Sequence, residues 1–455
     1  MVKVSPTFLI LVFVLFLFVS SETQAATITV TTADDVMSTD GQCSLREAII
    51  RANTDPVGLI VLGECDLGSG DDEIRFDPSL NGIPIELSIA GSGEDASGTG
   101  DLDIVSNITI RGNGVDNTVI DANSIDRVFH IIGVSRQVTM LDISITGGLL
   151  NDVPGSGISN AGTLLLDRVS IHTNVVTGTT SSAIGGGIFN SGQLAIFEST
   201  IDNNTADRGS GIFSNNLVEI FGSTISNNTG RAGVGVINFG GLGIFNSTIS
   251  KNNASNNSGG VRNSTGGTTV ISNSTIVENG EQGIFSSATG NLTIENSIVA
   301  NNSADDCSGV SNILSQGNNL DSDGSCGFVQ AGDISNTDPM IGPLEDNGGP
   351  TLTHALLSGS PAVDAGNNAT CENDDQRGTV RPQDGDDNGA AVCDMGALEM
   401  LLSELIPQVP PPGPGGGDGG GGCSIAAVNN TSTAFPLYLL IPAAILFRRL
   451  RRKFN

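Results

Sequence analysis

Ser199-Thr200-Ile201-Asp202-Asn203-Asn204, Ser223-Thr224-Ile225-Ser226-Asn227-Asn228, Ser247-Thr248-Ile249-Ser250-Lys251-Asn252 and Ser274-Thr275-Ile276-Val277-Glu278-Asn279 are four statements of one phrase. Looser copies extend it both ways within residues 157–302, and the isoleucine anchors run Ile145, Ile171, Ile201, Ile225, Ile249, Ile276 and Ile298. Spacings of 26, 30, 24, 24, 27 and 22 residues are those of a solenoid, one coil per period. Apolar side chains stand five and seven residues before each anchor, as in Val138 and Met140, Leu164 and Leu166, Leu194 and Ile196, Val218 and Ile220, Leu242 and Ile244. That alternation buries one face of a strand. A further apolar strand precedes it at Ile158, Ile188, Ile212, Val236, Val261 and Ile284, so each period holds two or three short strands separated by Gly, Ser and Asn.

A leucine-rich repeat has a similar period but needs Leu-rich positions and often a helix, and this composition favours almost no helix. The pattern predicts an all-β, right-handed parallel β-helix whose coils pair in parallel about 4.8 Å apart. Asn in register after the anchor is expected to stack at a recurring bend, tolerating left-handed backbone and bonding the next coil.

With 455 residues the chain exceeds one compact core, a limit a solenoid escapes because each coil buries only against its neighbours. Gly at 61, no Trp, one Tyr and 15% charged residues suit a repetitive β protein. The formal net charge is −30, and six of the 19 basic residues lie at the two ends, which leaves the middle more acidic still. Such a surface repels nucleic acid and anionic polysaccharide and attracts divalent cations; solubility alone is the plainer explanation. Of seven cysteines, Cys43 with Cys65, Cys307 with Cys326 and Cys371 with Cys393 are neighbours that suggest disulfides and an oxidising compartment. Buried free thiols are the alternative, and Cys423 is left over.

Residues 1–25 read as a secretory signal: Lys3, the apolar run Phe8 to Val19, then small and polar residues to Ala25. A retained anchor is the alternative, disfavoured by an apolar core of about twelve residues. Residues 26–77 form an N-terminal cap. Its sequence Cys43-Ser44-Leu45-Arg46-Glu47-Ala48-Ile49-Ile50-Arg51-Ala52-Asn53 predicts a helix with Leu45, Ala48, Ile49 and Ala52 on one face, suited to covering the first coil. Arg46 and Glu47 are expected to form a structural ion pair. Thr32-Ala33-Asp34-Asp35 followed by Cys43-Ser44-Leu45-Arg46-Glu47-Ala48 resembles the CSLREA domain, a family found at the N-terminus of secreted bacterial β-helix proteins. The resemblance implies architecture and secretion, not a reaction.

Coils are expected over residues 78–337, the early ones carrying phrases such as Ile108-Thr109-Ile110-Arg111-Gly112-Asn113-Gly114. Residues 338–400 change character: Asp346-Asn347-Gly348-Gly349-Pro350-Thr351, His354-Ala355-Leu356, Gly359-Ser360-Pro361-Ala362-Val363-Asp364-Ala365-Gly366, Asp375-Gln376-Arg377-Gly378, Arg381-Pro382 and Cys393-Asp394-Met395-Gly396-Ala397-Leu398-Glu399. This order resembles the choice-of-anchor Q domain, a β-helix terminator associated with surface-anchoring signals, and implies placement at a surface. Residues 401–422 contain a Pro/Gly-rich linker. Residues 423–455 have the layout of a bacterial sorting signal: Cys423-Ser424, an apolar helix over Ala434 to Phe447 and the basic cluster Arg448 to Lys453. Fourteen apolar residues span about 21 Å of a core about 30 Å thick, marginal for a permanent anchor and suited to a transient one removed by a sorting protease. The Gly-Cys-Ser context resembles signals processed near the cysteine, with Cys423 a candidate for lipid; a plain tail anchor is the alternative.

Parallel β-helices include pectate lyases and polysaccharide hydrolases, whose sites resemble one another in projecting carboxylates with Arg, Lys or His from neighbouring coils. Here Glu198, Asp202, Asp207, Glu219, Lys251, Glu278, Glu295, Asp305 and Asp306 are expected to share no register. His130, His172 and His354 are scattered and expected to be structural, and sugar platforms of Trp are absent while Tyr438 lies in the apolar tail. Asp384, Asp386 and Asn388 offer calcium-loop oxygens at positions one, three and five with Gly389 at six, but Met395 stands where the loop's twelfth-position glutamate belongs, and a solvated acidic turn is the default. Asn-x-Ser/Thr triplets such as Asn246-Ser247-Thr248 and Asn273-Ser274-Thr275 follow from the repeat. The sequence therefore predicts a secreted β-helix tethered to, or displayed on, a bacterial envelope in a structural, adhesive or ligand-binding role. A polysaccharide lyase or hydrolase with its site around Glu198 to Glu219 is the second reading.

Overall fold

The computed structural model describes residues 26–54, 65–178, 180–309 and 312–404. The signal-like segment, most of the linker, Cys423 and the expected C-terminal helix lie outside the described residues. Among those described, no helix is long and apolar enough to cross a membrane.

The chain is a parallel β-helix. Each central coil lays one strand in each of three long sheets, as Ile188–Asn190, Gln193–Phe197 and Thr200–Asp202 do in one coil and Ile212–Ser214, Val218–Phe221 and Thr224–Ser226 in the next. The long sheets have 9, 11 and 10 strands, and a fourth sheet of 5 strands broadens the middle coils. Pairing across these four sheets is parallel, with like residues side by side: Ile201 beside Ile225, Ile225 beside Ile249 and Ile249 beside Ile276. The phrase Ser-Thr-Ile divides its labour accordingly. Each isoleucine faces the core and is at most 1% exposed. The serine sits at the bend before the strand, where Ser199, Ser223 and Ser247 each donate a backbone N–H to the serine hydroxyl of the next coil at 3.1 to 3.3 Å. The threonine points outward.

The asparagine that ends the phrase supplies the strongest inter-coil tie. Asn174, Asn204, Asn228, Asn252, Asn279 and Asn302 form one buried column. In each step the side-chain Oδ1 of one asparagine accepts both the backbone N–H and the Nδ2 of its predecessor, as Asn228 does from Asn204 at 2.9 and 3.1 Å. The second Nδ2 proton goes to the carbonyl of a core isoleucine, Asn228 to Ile201 at 3.0 Å and Asn252 to Ile225 at 3.0 Å. Every polar atom of a dry bend is thus satisfied by its neighbour, which is the condition for burying it.

At the N-terminal end, helix Leu45–Thr54 buries Leu45, Ala48, Ile49 and Ala52 over the first coils. It begins with a reciprocal capping box: Glu47 N–H donates to Ser44 Oγ at 3.2 Å and Ser44 N–H to Glu47 Oε2 at 3.0 Å. The expected Arg46–Glu47 pair is not made. Consecutive helix residues project about 100° apart, and Arg46 turns instead to Asp35, Nε to Oδ1 at 2.6 Å, both side chains at most 1% exposed. Three disulfides join Cys43 to Cys65, Cys307 to Cys326 and Cys371 to Cys393.

The column generates a stability prediction. Asn252→Ala leaves the Asn228 N–H and Nδ2 and the Ile225 carbonyl without partners in a dry bend, and each unsatisfied buried group costs about 1–3 kcal/mol. The urea midpoint of Asn252→Ala is expected well below that of the parent, whereas Asn256→Ala, at an exposed position, leaves it in place.

Candidate functional site

The bend between the second and third strands of each coil holds its first residue in the left-handed region. Down the column these are Asp142, Arg168, Glu198, Gly222, Asn246, Asn273 and Asn296, with φ of 56°, 54°, 46°, 55°, 44°, 46° and 47°. Gly and Asn take this conformation readily; charged residues with longer side chains pay of order 1 kcal/mol each. Three successive coils nevertheless place acid, base and acid there. The Asn-x-Ser triplets mark the same column in its relaxed form.

Those three residues line a groove of about 530 Å³ together with Ser170, His172, Thr200, Asp202 and Pro350. Arg168 makes a two-pronged bond to Asp142, Nε to Oδ1 at 2.7 Å and Nη2 to Oδ2 at 3.0 Å, and a third to Asp167 at 3.0 Å. The Asp142 bond, with Asp167 and Glu198 nearby, holds the guanidinium firmly in its charged form. His172 and Asp202 are paired neighbours on the third sheet. His172 Nδ1 lies 3.3 Å from Thr146 Oγ1 and 3.1 Å from Thr173 Oγ1. Burial pushes the Asp202 carboxyl above the usual carboxylate range, against the pull of His172 and of the Asn203 amide.

Pro350 enters the groove because residues 338–400 fold back along the outer face of the third sheet. The hairpin of Ile341–Glu345 and Thr353–Leu356 lies over it. The outward threonines receive this clasp: Thr224 Oγ1 donates to the Leu352 carbonyl at 2.6 Å, Thr248 Oγ1 to Gln376 Oε1 at 2.7 Å, and Ala397 N–H donates to Thr275 Oγ1 at 2.9 Å. Gln376 Nε2 reaches Thr224 and Thr351 at 2.9 and 2.8 Å. Thr200, in the same column, is left uncovered and lines the groove. The site is therefore the stretch of this face that the clasp does not reach.

Of the expected carboxylates, Glu198 and Asp202 meet in the groove from two positions of one coil and share no register, whereas Lys251 and Glu278 stand in register in adjacent coils, Nζ 3.6 Å from Oε2. Sequence reasoning does not pick out Asp142 and Arg168. The missed signal was the replacement of Asn or Gly by three charges at one bend. His172 lines the groove, whereas His354 is buried with Nε2 2.8 Å from Ser250 Oγ and Nδ1 2.8 Å from the Gly342 carbonyl. In the expected calcium loop, Asp384 and Asp386 lie together, but the third carboxylate within reach is Asp364, thirty residues before Asp394, to which its N–H donates. Asn388 turns its amide nitrogen to Asp386 Oδ2 at 2.9 Å and does not offer an oxygen there.

The chain was compared with known proteins. No family model matches it, and no curated sequence does. Among solved structures it is similar to pectate lyase Pel9A, at 14% identity and a TM-score of 0.46 over 83% of this chain and 96% of that one. It is also similar to Jun a 1, the major allergen from cedar pollen, at 14% identity and a TM-score of 0.28 over 69% and 78%.

The clasp carries a pH prediction. Burial, with Glu399 beside it, pushes the Asp394 carboxyl up to about 7. A raised carboxyl binds its proton more tightly folded than unfolded, so its contribution is complete below about pH 4 and is lost as pH rises through about 7. Amide exchange of residues 395–400, the clasp segment that follows Asp394, is expected to quicken from pH 5 to pH 8 beyond the intrinsic chemical rate, and Asp394→Asn is expected to remove that excess.

Proposed function

We propose that this protein is a secreted β-helix held at a bacterial envelope, and that its groove binds an extracellular polysaccharide. The observation that carries the binding reading is the charged column. Arg168 and Glu198 occupy left-handed positions that Asn and Gly fill in later coils of the same column, at a local cost of order 1 kcal/mol each, and with Asp142 they converge on one groove. A fixed arginine flanked by carboxylates presents donors and acceptors in a set geometry, which suits the vicinal hydroxyls of a sugar chain. The charge balance narrows the ligand. Asp142, Asp167, Glu198 and Asp202 outnumber Arg168, and the whole chain carries −30, so a neutral or amino-bearing glycan fits where a polyanion or nucleic acid is repelled.

Secretion is supported by the signal-like first 25 residues and by three disulfides, which persist in oxidising compartments. Attachment is supported by the tail from Cys423 to Asn455, with the membrane and a sorting protease as its partners and Cys423 as the processing or lipid site. Cleavage of the bound glycan is the second reading, and Asp202 favours it, because burial keeps its carboxyl protonated to higher pH as a general acid requires.

The test uses Arg168→Gly, since glycine takes the left-handed bend without cost. Hydrogen bonds to a charged group are worth about 1.5–3 kcal/mol, so affinity electrophoresis in a retarding neutral or amino polysaccharide is expected to show binding weakened about 10- to 100-fold. The melting temperature of the variant is expected to fall modestly, because glycine relieves the bend but Asp142 and Asp167 lose their cation, so the variant's native far-UV circular dichroism is checked alongside binding. Parent protein retarded by no glycan class, or equal retardation of the variant, contradicts the reading. New reducing ends that appear with the parent and not with Asp202→Asn would establish cleavage.

A further inference from the structure

A second polar cluster lies on a different face of the solenoid, the outer face of the 9-stranded sheet. Strand Leu102–Ile104 pairs with Phe129–Ile131, which sets Asp103 beside His130 with both side chains outward. The turn of residues 91–100 folds over this pair. It is fixed by Ser97, whose Oγ accepts from the Asp103 N–H at 2.7 Å and donates to the Asp103 carbonyl at 2.9 Å. That turn carries Asp95 to the same point.

The geometry at this point is that of ligands without their ion. His130 Nδ1 is 3.3 Å from Asp103 Oδ1 and 3.8 Å from Asp95 Oδ1, and the three donor atoms all lie within 4.8 Å of one another. Donors held about 2.0–2.1 Å from a tetrahedral ion stand roughly 3.3 Å apart. The Asp103 side chain is 0% exposed. Its Oδ2 accepts from the Ser97 N–H at 2.9 Å, while its Oδ1, buried and aimed into the cluster, makes no hydrogen bond. Half of a dry carboxylate thus makes no hydrogen bond and faces the His130 imidazole 3.3 Å away, an arrangement that a cation held between them would complete. The nearby guanidinium groups are engaged elsewhere: Arg127 Nη1 bonds Asp101 at 2.8 Å and Arg46 bonds Asp35.

We propose that Asp95, Asp103 and His130 bind a divalent transition-metal ion, with zinc as the simplest fit. One imidazole nitrogen and two carboxylate oxygens suit zinc or its first-row neighbours, whereas calcium and magnesium prefer all-oxygen shells. The fourth position opens to solvent beside Asp95, which is 72% exposed. The Ser97 N–H bond to Asp103 Oδ2 serves as the outer support that such sites need to orient a ligand. The ion ties the 91–100 turn to two coils, and that turn receives the capping helix through Arg46, which donates to the Gly100 carbonyl at 2.8 Å and the Ser97 carbonyl at 3.1 Å. Metal therefore braces the N-terminal cap from a different face of the coils that also carry the groove.

The experiment is zinc titration of the chelator-stripped, disulfide-intact protein by calorimetry, with calcium in parallel and the melting temperature as second readout. One equivalent of zinc is expected, raising the melting temperature, with no comparable calcium event. His130→Ala is expected to cost tenfold or more in zinc affinity and to abolish the zinc-dependent shift. Because Asp103 is buried and its variant is prone to misfold, Asp95→Ala in the exposed turn serves as the second variant and is also expected to weaken binding. Absence of a zinc isotherm in the parent, or unchanged zinc affinity in both His130→Ala and Asp95→Ala, overturns the proposal.

Discussion

Buried amide chains running parallel to the solenoid axis hold the coils in phase. A short parallel strand contributes few backbone bonds, and a shift of one residue would swap core and surface faces. The asparagine column from Asn174 to Asn302 forbids that shift, because each side chain between its two ends is bonded to its equivalents in the coils above and below. The serine column at the preceding bend repeats the device with hydroxyls. Apolar burial drives the coils together, and these columns fix which residue meets which.

Register in turn creates the surface on which function can sit. Once the isoleucines are aligned inward, the threonines beside them form a straight outward row, and the C-terminal clasp docks along Thr224, Thr248 and Thr275. Coils before that point keep the row open. It is there that the bend column exchanges Asn and Gly for Asp142, Arg168 and Glu198, and that His172 and Asp202 stand side by side. The clasp thus sets the extent of the groove and also contributes Pro350 to its wall.

The fold was legible because a solenoid writes its periodicity directly into the chain: the Ile anchors, the alternating strands and the in-register asparagines each have a one-to-one structural counterpart. The capping helix was equally plain from the apolar face of Leu45, Ala48, Ile49 and Ala52, although its Ser44–Glu47 capping box was not. What could not be read was pairing that depends on direction rather than spacing. Arg46 is adjacent to Glu47 in sequence yet bonds Asp35, and Asn388 fits a calcium-loop position yet turns its nitrogen inward while Asp364 supplies the oxygen. The groove was half legible. Glu198 and Asp202 stood out as charges, but Asp142 and Arg168 precede looser copies of the phrase, where the bend register is visible only after the coils are aligned. Asp95 and His130 lie 35 positions apart in sequence, with no repeat to connect them.

In-register stacking is tested most directly by cross-linking between coils. Thr109 and Thr139 are paired outward neighbours in adjacent coils, and paired parallel strands lie about 4.8 Å apart, within disulfide range. On a Cys423→Ser background, Thr109→Cys with Thr139→Cys is expected to oxidise to an intramolecular disulfide found by peptide mapping, leaving the three native bridges intact. A Thr109→Cys that instead joins Val138→Cys or Met140→Cys as readily, when each is offered in its place, would contradict the register on which the clasp, the groove and the columns all depend.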